Sequence, residues 1–132
     1  MARMPLPAAG GGHSLALKSD GTVWVWGDDF SGELGDGTRG EGTCHCCTTP
    51  GQVIGLSGVI AISAGTGAHS LALRNDGTVW GWGYDNHGQL GDGTRGDPSC
   101  ACRTTPVQTE RLADVTAISA GVGHSLALRA GS

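Results

Sequence analysis

The five cysteines are the residues with the most chemistry to offer, and all of them fall in two short stretches of similar sequence. Cys44, Cys46 and Cys47 stand in Thr-Cys-His-Cys-Cys-Thr-Thr-Pro, and Cys100 and Cys102 in Ser-Cys-Ala-Cys-Arg-Thr-Thr-Pro. In extended backbone, alternate residues project to the same side. A Cys-x-Cys pair therefore suits two thiolates on one ion better than an unstrained bridge between its own members. Two outcomes follow for Cys44, Cys46, Cys100 and Cys102: one four-thiolate metal site across the two loops, or disulfides between the loops. Zinc is the metal that suits such a site, although Cys-x-x-Cys is its more usual signature. No cofactor is firmly expected. Cys47 has Arg103 as its counterpart and is surplus in both readings; free thiols without a role are the third.

The remaining polar residues promise less. His13, His69 and His124 share one phase of a repeated phrase, which could make them a ring of metal ligands or bases. A turn histidine bonding backbone at the start of a strand is the simpler expectation. Asp36 and Asp92 sit in Gly-Asp-Gly-Thr, where an Asx turn explains them. Asp28-Asp29 and Asp85-Asn86 match no calcium loop. Every polar motif recurs by phase, and no Ser/His/Asp, Cys/His or paired-carboxylate set stands apart. Catalytic residues seldom duplicate in this way, so no catalytic residue and no enzyme activity is expected.

What positions these residues is a repeat, which decides the fold before any local reading does. His-Ser-Leu-Ala-Leu begins at His13, His69 and His124; Asp-Gly-Thr-Val-Trp-x-Trp-Gly at Asp20 and Asp76; Leu-Gly-Asp-Gly-Thr-Arg-Gly at Leu34 and Leu90; Ala-Ile-Ser-Ala-Gly at Ala61 and Ala117. The 132 residues divide by phase into a lead segment (1–12), a first repeat (13–65), a second (66–121) and part of a third (122–132). The 25 glycines recur at fixed phases, as turns with positive φ require.

Period-two patterning predicts an all-β chain. Strands are expected at 13–18, 22–27, 52–56, 59–63, 69–74, 78–83, 107–112, 115–119 and 124–129, with none ahead of His13. Asp20-Gly21 is a hairpin turn signal between apolar runs. In the following strand Val23 and Val25 alternate with Trp24 and Trp26, so both faces are apolar. Radially stacked sheets account for that, because each is covered on both sides by its neighbours. The four tryptophans are expected in the core.

Together these phrases resemble the regulator of chromosome condensation repeat in its bacterial form, over nearly all of residues 9–128. The resemblance implies a β-propeller, usually of seven blades with four antiparallel strands each. Its members' uses are diverse: nucleotide exchange on a small GTPase, chromatin docking, β-lactamase inhibition. No motif for any of these can be placed here residue by residue, so none is carried over.

Two repeats are too few to close a ring, and their outer faces would stay wet. The expected partners are therefore other copies of the chain, three or four making six to eight blades, and a further protein not identified by sequence. A net charge of −4 without a basic run argues against nucleic acid or an anionic membrane as partner. Residues 1–12 lack the apolar core of a signal peptide and no apolar run is long enough to span a bilayer, which leaves the location open. The expected function is that of a non-catalytic interaction or assembly module. The alternative is a metal-binding or redox protein using the Cys-x-Cys loops.

Overall fold

The computed structural model describes residues 6–28, 33–35, 46–94, 96 and 102–130. Every regular element among them is a strand: β1 (Leu6–Ala9), β2 (His13–Leu17), β3 (Val23–Asp28), β4 (Cys46–Gln52), β5 (Val59–Ala64), β6 (His69–Arg74), β7 (Val79–Tyr84), β8 (Cys102–Gln108), β9 (Val115–Ala120) and β10 (Ser125–Arg129). They form two four-stranded antiparallel sheets, β1-β2-β3-β4 and β5-β6-β7-β8, followed by the pair β9-β10. Neighbouring sheets pack through their first strands, β1 and β2 against β5, then β5 and β6 against β9. This is the stacking of consecutive propeller blades, two complete and the third represented by half.

Two expectations need correction. A strand does precede His13: β1 pairs with β2 from Leu6 opposite Leu17 to Ala9 opposite Ser14. It lacks the repeat's apolar phrase and carries Pro7, which a sheet tolerates on an edge strand. The fourth strands lie earlier than 52–56 and 107–112, because Trp24 and Val25 pair with Gln52 and Gly51, and Trp80 and Gly81 with Gln108 and Val107. Backbone pairing, and no apolar alternation, fixes them.

The hairpin phrase Asp-Gly-Thr-x-Trp explains itself in atoms. Gly21 takes φ +84° and Gly77 φ +83°, the left-handed region that glycine enters without steric cost. Asp20 Oδ1 accepts from the Thr22 amide (3.0 Å) and hydroxyl (2.6 Å), and Trp24 Nε1 donates to Thr22 Oγ1 at 3.1 Å. Asp76, Thr78 and Trp80 repeat the arrangement. Each hairpin also ties down the next sheet: the Val59 amide donates to the Gly21 carbonyl and the Val115 amide to Gly77, both at 3.1 Å.

Alternation gives each sheet two different faces. In the first, Leu15, Leu17, Val23 and Val25 are buried against Ala72, Trp82 and the flanking Ile62, Ala64 and Trp80 of the second. In the second, Leu71, Leu73 and Val79 meet Val115, Ile118 and Ala120 of β9. So at the first junction a leucine-valine face meets alanine and tryptophan side chains, and at the second the equivalent face meets Val115, Ile118 and Ala120. Of the tryptophans, only Trp82 is completely buried; Trp24, Trp26 and Trp80 are half-buried. Trp80 packs against the same leucine-valine cluster as Trp82 but keeps part of its surface in solvent.

Candidate functional site

The repeated histidines are links between sheets. His13 is buried and its Nε2 shares a 2.7 Å hydrogen bond with Ser70 Oγ; His69, equally buried, shares one of 3.1 Å with Ser125 Oγ. In both, the partner is the serine of the next His-Ser phrase. The expected backbone bond at a strand start understates this role, since the side chain reaches the following blade. Burial is the main force holding the His69 pKa below its ordinary value, so the imidazole is neutral near pH 7. His124, at the same phase, is solvent-exposed.

Glycines supply the other half of each junction. A Cβ at Gly11 would stand 2.4 Å from the Thr66 carbonyl oxygen, and one at Gly67 only 1.6 Å from that of Val122. Backbone meets backbone there, and no side chain fits. The signal was in the sequence, since both glycines sit two residues before a repeated histidine. Only the 56-residue periodicity could have suggested what they face.

The second blade also holds a small polar network. Asp85 is buried, and its Oδ1 accepts from the Leu90 amide at 3.0 Å. Burial foremost, with Asp92 close by, raises its pKa to about 6. Asp92 makes the expected Asx turn, accepting from the Thr94 amide at 3.1 Å, and also pairs with Arg103 at 3.0 Å. Burial alone would raise the Asp92 pKa, but the Thr94 and Arg103 donors outweigh it and the net shift is downward. Asp85 is thus a buried cap and Asp92 a turn residue, while Asp29 and Asp36 lie outside the described residues.

Of the cysteines, Cys44 and Cys100 also lie outside the described residues. Cys46 and Cys47 begin β4 opposite Asp28 and Gly27, and Cys102 begins β8 opposite Tyr84. Cys102 is buried and disulfide-bonded, its partner side chain being outside those described. Among the described residues no three His, Cys, Asp or Glu side chains come together in a metal-binding group.

A cavity of about 410 Å³ opens between the second blade and β9-β10. Its floor includes Leu71, Val79 and Leu90, with Gln89 and Gly91 beside them and Ser125 and Ala127 of β10 on the far wall. Beyond it the half-blade presents Leu126 and Leu128 to solvent, 63% and 64% exposed, where Leu15 and Leu17 at the same phase are 0% exposed.

Comparisons with known proteins agree on what carries these features. The regulator of chromosome condensation (RCC1) repeat matches at residues 76–128, and a second form of the same repeat at 8–33 and 59–89. A probable E3 ubiquitin-protein ligase, HERC3 of Homo sapiens, is 36% identical over 122 residues, covering 92% of this chain and 11% of the ligase. The mitochondrial RCC1 domain-containing protein RUG3 of Arabidopsis thaliana is 36% identical over 127 residues, covering 94% of this chain and 26% of its own length. The chain thus spans a small part of the relatives it matches. Among solved structures, yeast RCC1 (Prp20) bound to Kap60 superposes with a TM-score of 0.79 at 24% identity, over 94% of this chain and 29% of that one. Prp20p of Saccharomyces cerevisiae gives 0.78 at 22%, over 99% and 32%. Repeat phrases, blade topology and inter-blade contacts converge, and the chain belongs to the regulator of chromosome condensation (RCC1) repeat family.

Proposed function

We propose that the chain is a non-catalytic propeller module that binds protein, and that copies of it associate to complete a ring. The observation that carries this reading is the unequal burial of equivalent leucines. Leu15, Leu17, Leu71 and Leu73 are buried by the blade that follows, whereas Leu126 and Leu128 are open. Full burial of a leucine is worth about 1.5–3 kcal/mol, so the open face favours association. That yeast RCC1 is seen with Kap60, and that Prp20p is described as binding Gsp1p and histones, supports a protein as the further partner. Three or four chains would give six to eight blades, and light scattering should report that mass. A 13.3 kDa species that unfolds cooperatively would overturn the self-association.

The cysteine loops support a second reading, that of a redox element, on the observation that Cys102 is disulfide-bonded. A sulfur so bonded is no thiolate, so a disulfide at Cys102 is favoured over a zinc ligand there. Thiol titration in denaturant without reductant should find fewer than five free thiols. Five thiols together with stoichiometric zinc would restore the four-thiolate site at Cys44, Cys46, Cys100 and Cys102.

A further inference from the structure

The turn that follows β7 is tied to the core of the second blade by one carboxyl. Residues 85–91 fold back on themselves: the Gly88 amide donates to the Asp85 carbonyl at 3.0 Å and the Gly91 amide to the Gly88 carbonyl at 3.1 Å. Gly88 and Gly91 take φ +71° and +66°. The Leu90 side chain is buried and lies on Gly81 of β7, where a Cβ would stand 2.9 Å from Leu90 Cδ2. The amide of that leucine donates to Asp85 Oδ1 at 3.0 Å. Asp85 thus joins the start of the turn to the residue that plugs the core.

The other oxygen of Asp85 has no such donor. The side chain is 0% exposed, and Oδ2 receives no hydrogen bond among the described residues. A charged oxygen buried without a partner is strongly unfavourable. What stands within hydrogen-bonding reach is a second carboxyl, that of Asp92. Two carboxylates are both acceptors, so the contact becomes a hydrogen bond only when one of them carries a proton. The donors decide which. Asp92 accepts from the Thr94 amide at 3.1 Å, the Thr94 hydroxyl at 2.9 Å and Arg103 Nε at 3.0 Å, all of which favour its ionised form. Asp85 has one amide. The proton therefore belongs on Asp85 Oδ2, donated to Asp92, and the Asp85 pKa of about 6 agrees with that.

We propose that Asp85 and Asp92 share a single proton, and that this proton latches the turn 85–91 onto the core of the second blade. With it in place, both oxygens of the Asp85 carboxyl are satisfied. Without it, two negative charges meet at a buried side chain, and the charged groups facing Asp85 are Asp92, next to the turn, and Arg103, from β8. Hydrating the Asp85 carboxylate then requires the turn to lift, which breaks the bond to the Leu90 amide and uncovers Leu90 while the sheet stays paired. The closed turn binds the proton more tightly than the lifted one, so the latch holds fully below the ordinary carboxyl pKa of 3.8 and is lost as pH rises through about 6. The opening is local and leaves the strands folded.

Two measurements on the intact chain test the latch. Carboxyl carbon NMR should show Asp85 titrating near pH 6, with the Asp92 signal shifting at the same midpoint, as sites that share a proton must. Amide hydrogen exchange reads the turn itself. Relative to its intrinsic rate, exchange at Leu90 should speed up at least ten-fold between pH 5 and pH 8, while the amides of the central strand β6 keep their protection. Asp85→Asn puts a permanent amide donor in the place of the shared proton and keeps the oxygen that receives the Leu90 amide, so its Leu90 protection should not depend on pH. His87, the other titratable side chain of the turn, is retained in that variant. An equal loss of protection there would assign the effect to His87 and overturn the latch. Leu90 protection that stays constant from pH 5 to pH 8 in the native chain, or an Asp92 signal indifferent to the Asp85 midpoint, overturns it without any substitution.

Discussion

Removing the Ser70 hydroxyl should cost more than its size suggests, because it leaves the His13 ring nitrogen Nε2 buried at a blade junction without its 2.7 Å bond. Leaving such a group unsatisfied costs about 1–3 kcal/mol, and Ser70→Ala should show that loss in urea unfolding. Ser125→Ala, at the more open junction of His69, should lose less. The histidine phase was legible in the sequence, but its partner was not, since the bond spans 57 residues and a single phrase carries no trace of it. Asp85 offers a pH test. Its carboxyl goes from about 3.8 unfolded to about 6 folded, so the native state holds the proton more tightly. The stabilisation is fully present below pH 3.8 and is lost as pH rises through 6. Asp92 and Arg103 face this carboxyl and hold their own ion pair throughout that window. Asp85→Asn should therefore abolish this component of the fall in stability between pH 4 and pH 7, as followed by urea titrations at each pH.

At the scale of the strand and its turn, the tryptophans of one phrase do different work. Trp80 is held by its own hairpin, through Thr78 and under Arg74, whose guanidinium lies 5.6 Å from the ring centre. Trp82 binds the blade before it. Trp82→Ala should cost about 3–5 kcal/mol as a large buried deletion, and Trp82→Phe should recover most of the packing while losing the bond to Glu33. Denaturant midpoints distinguish the two. Gly67→Ala should be severe for a different reason, since its Cβ would collide with the Val122 carbonyl; the junction must open. Gly123→Ala is the control, with nothing nearer than a His87 ring atom at 3.3 Å. The sequence pattern revealed β2, β3, β5, β6, β7, β9 and β10, whose apolar residues fall in repeated phrases. It missed β1, whose Leu-Pro-Ala-Ala carries no repeat phrase. It displaced β4 and β8, whose Thr-Thr-Pro segments are placed by pairing with the tryptophan strands.

For the molecule as a whole, self-similarity made the propeller readable from sequence, but it could not say how the open end is covered, because an open blade and a covered one have the same phrases. Burial separates them. Leu126 and Leu128 contribute little to the lone chain, being 63% and 64% exposed within it. In a closed ring they would take the places that Leu15 and Leu17 hold at the first junction, each worth about 1.5–3 kcal/mol. Leu126→Ser/Leu128→Ser should therefore act differently in the two cases. If copies close a ring, the double variant should lower the native mass towards 13.3 kDa, and the concentration dependence of the unfolding midpoint should weaken, since association stabilises by mass action. If the chain stands alone, mass and midpoint should both stay where they are, because the replaced side chains already face water. Deleting residues 115–132 reaches further, uncovering Leu71, Leu73 and Val79, which pack against β9, and should destabilise the second blade in either case. The serine double variant is the cleaner experiment, since it alters only the face that the next blade would cover.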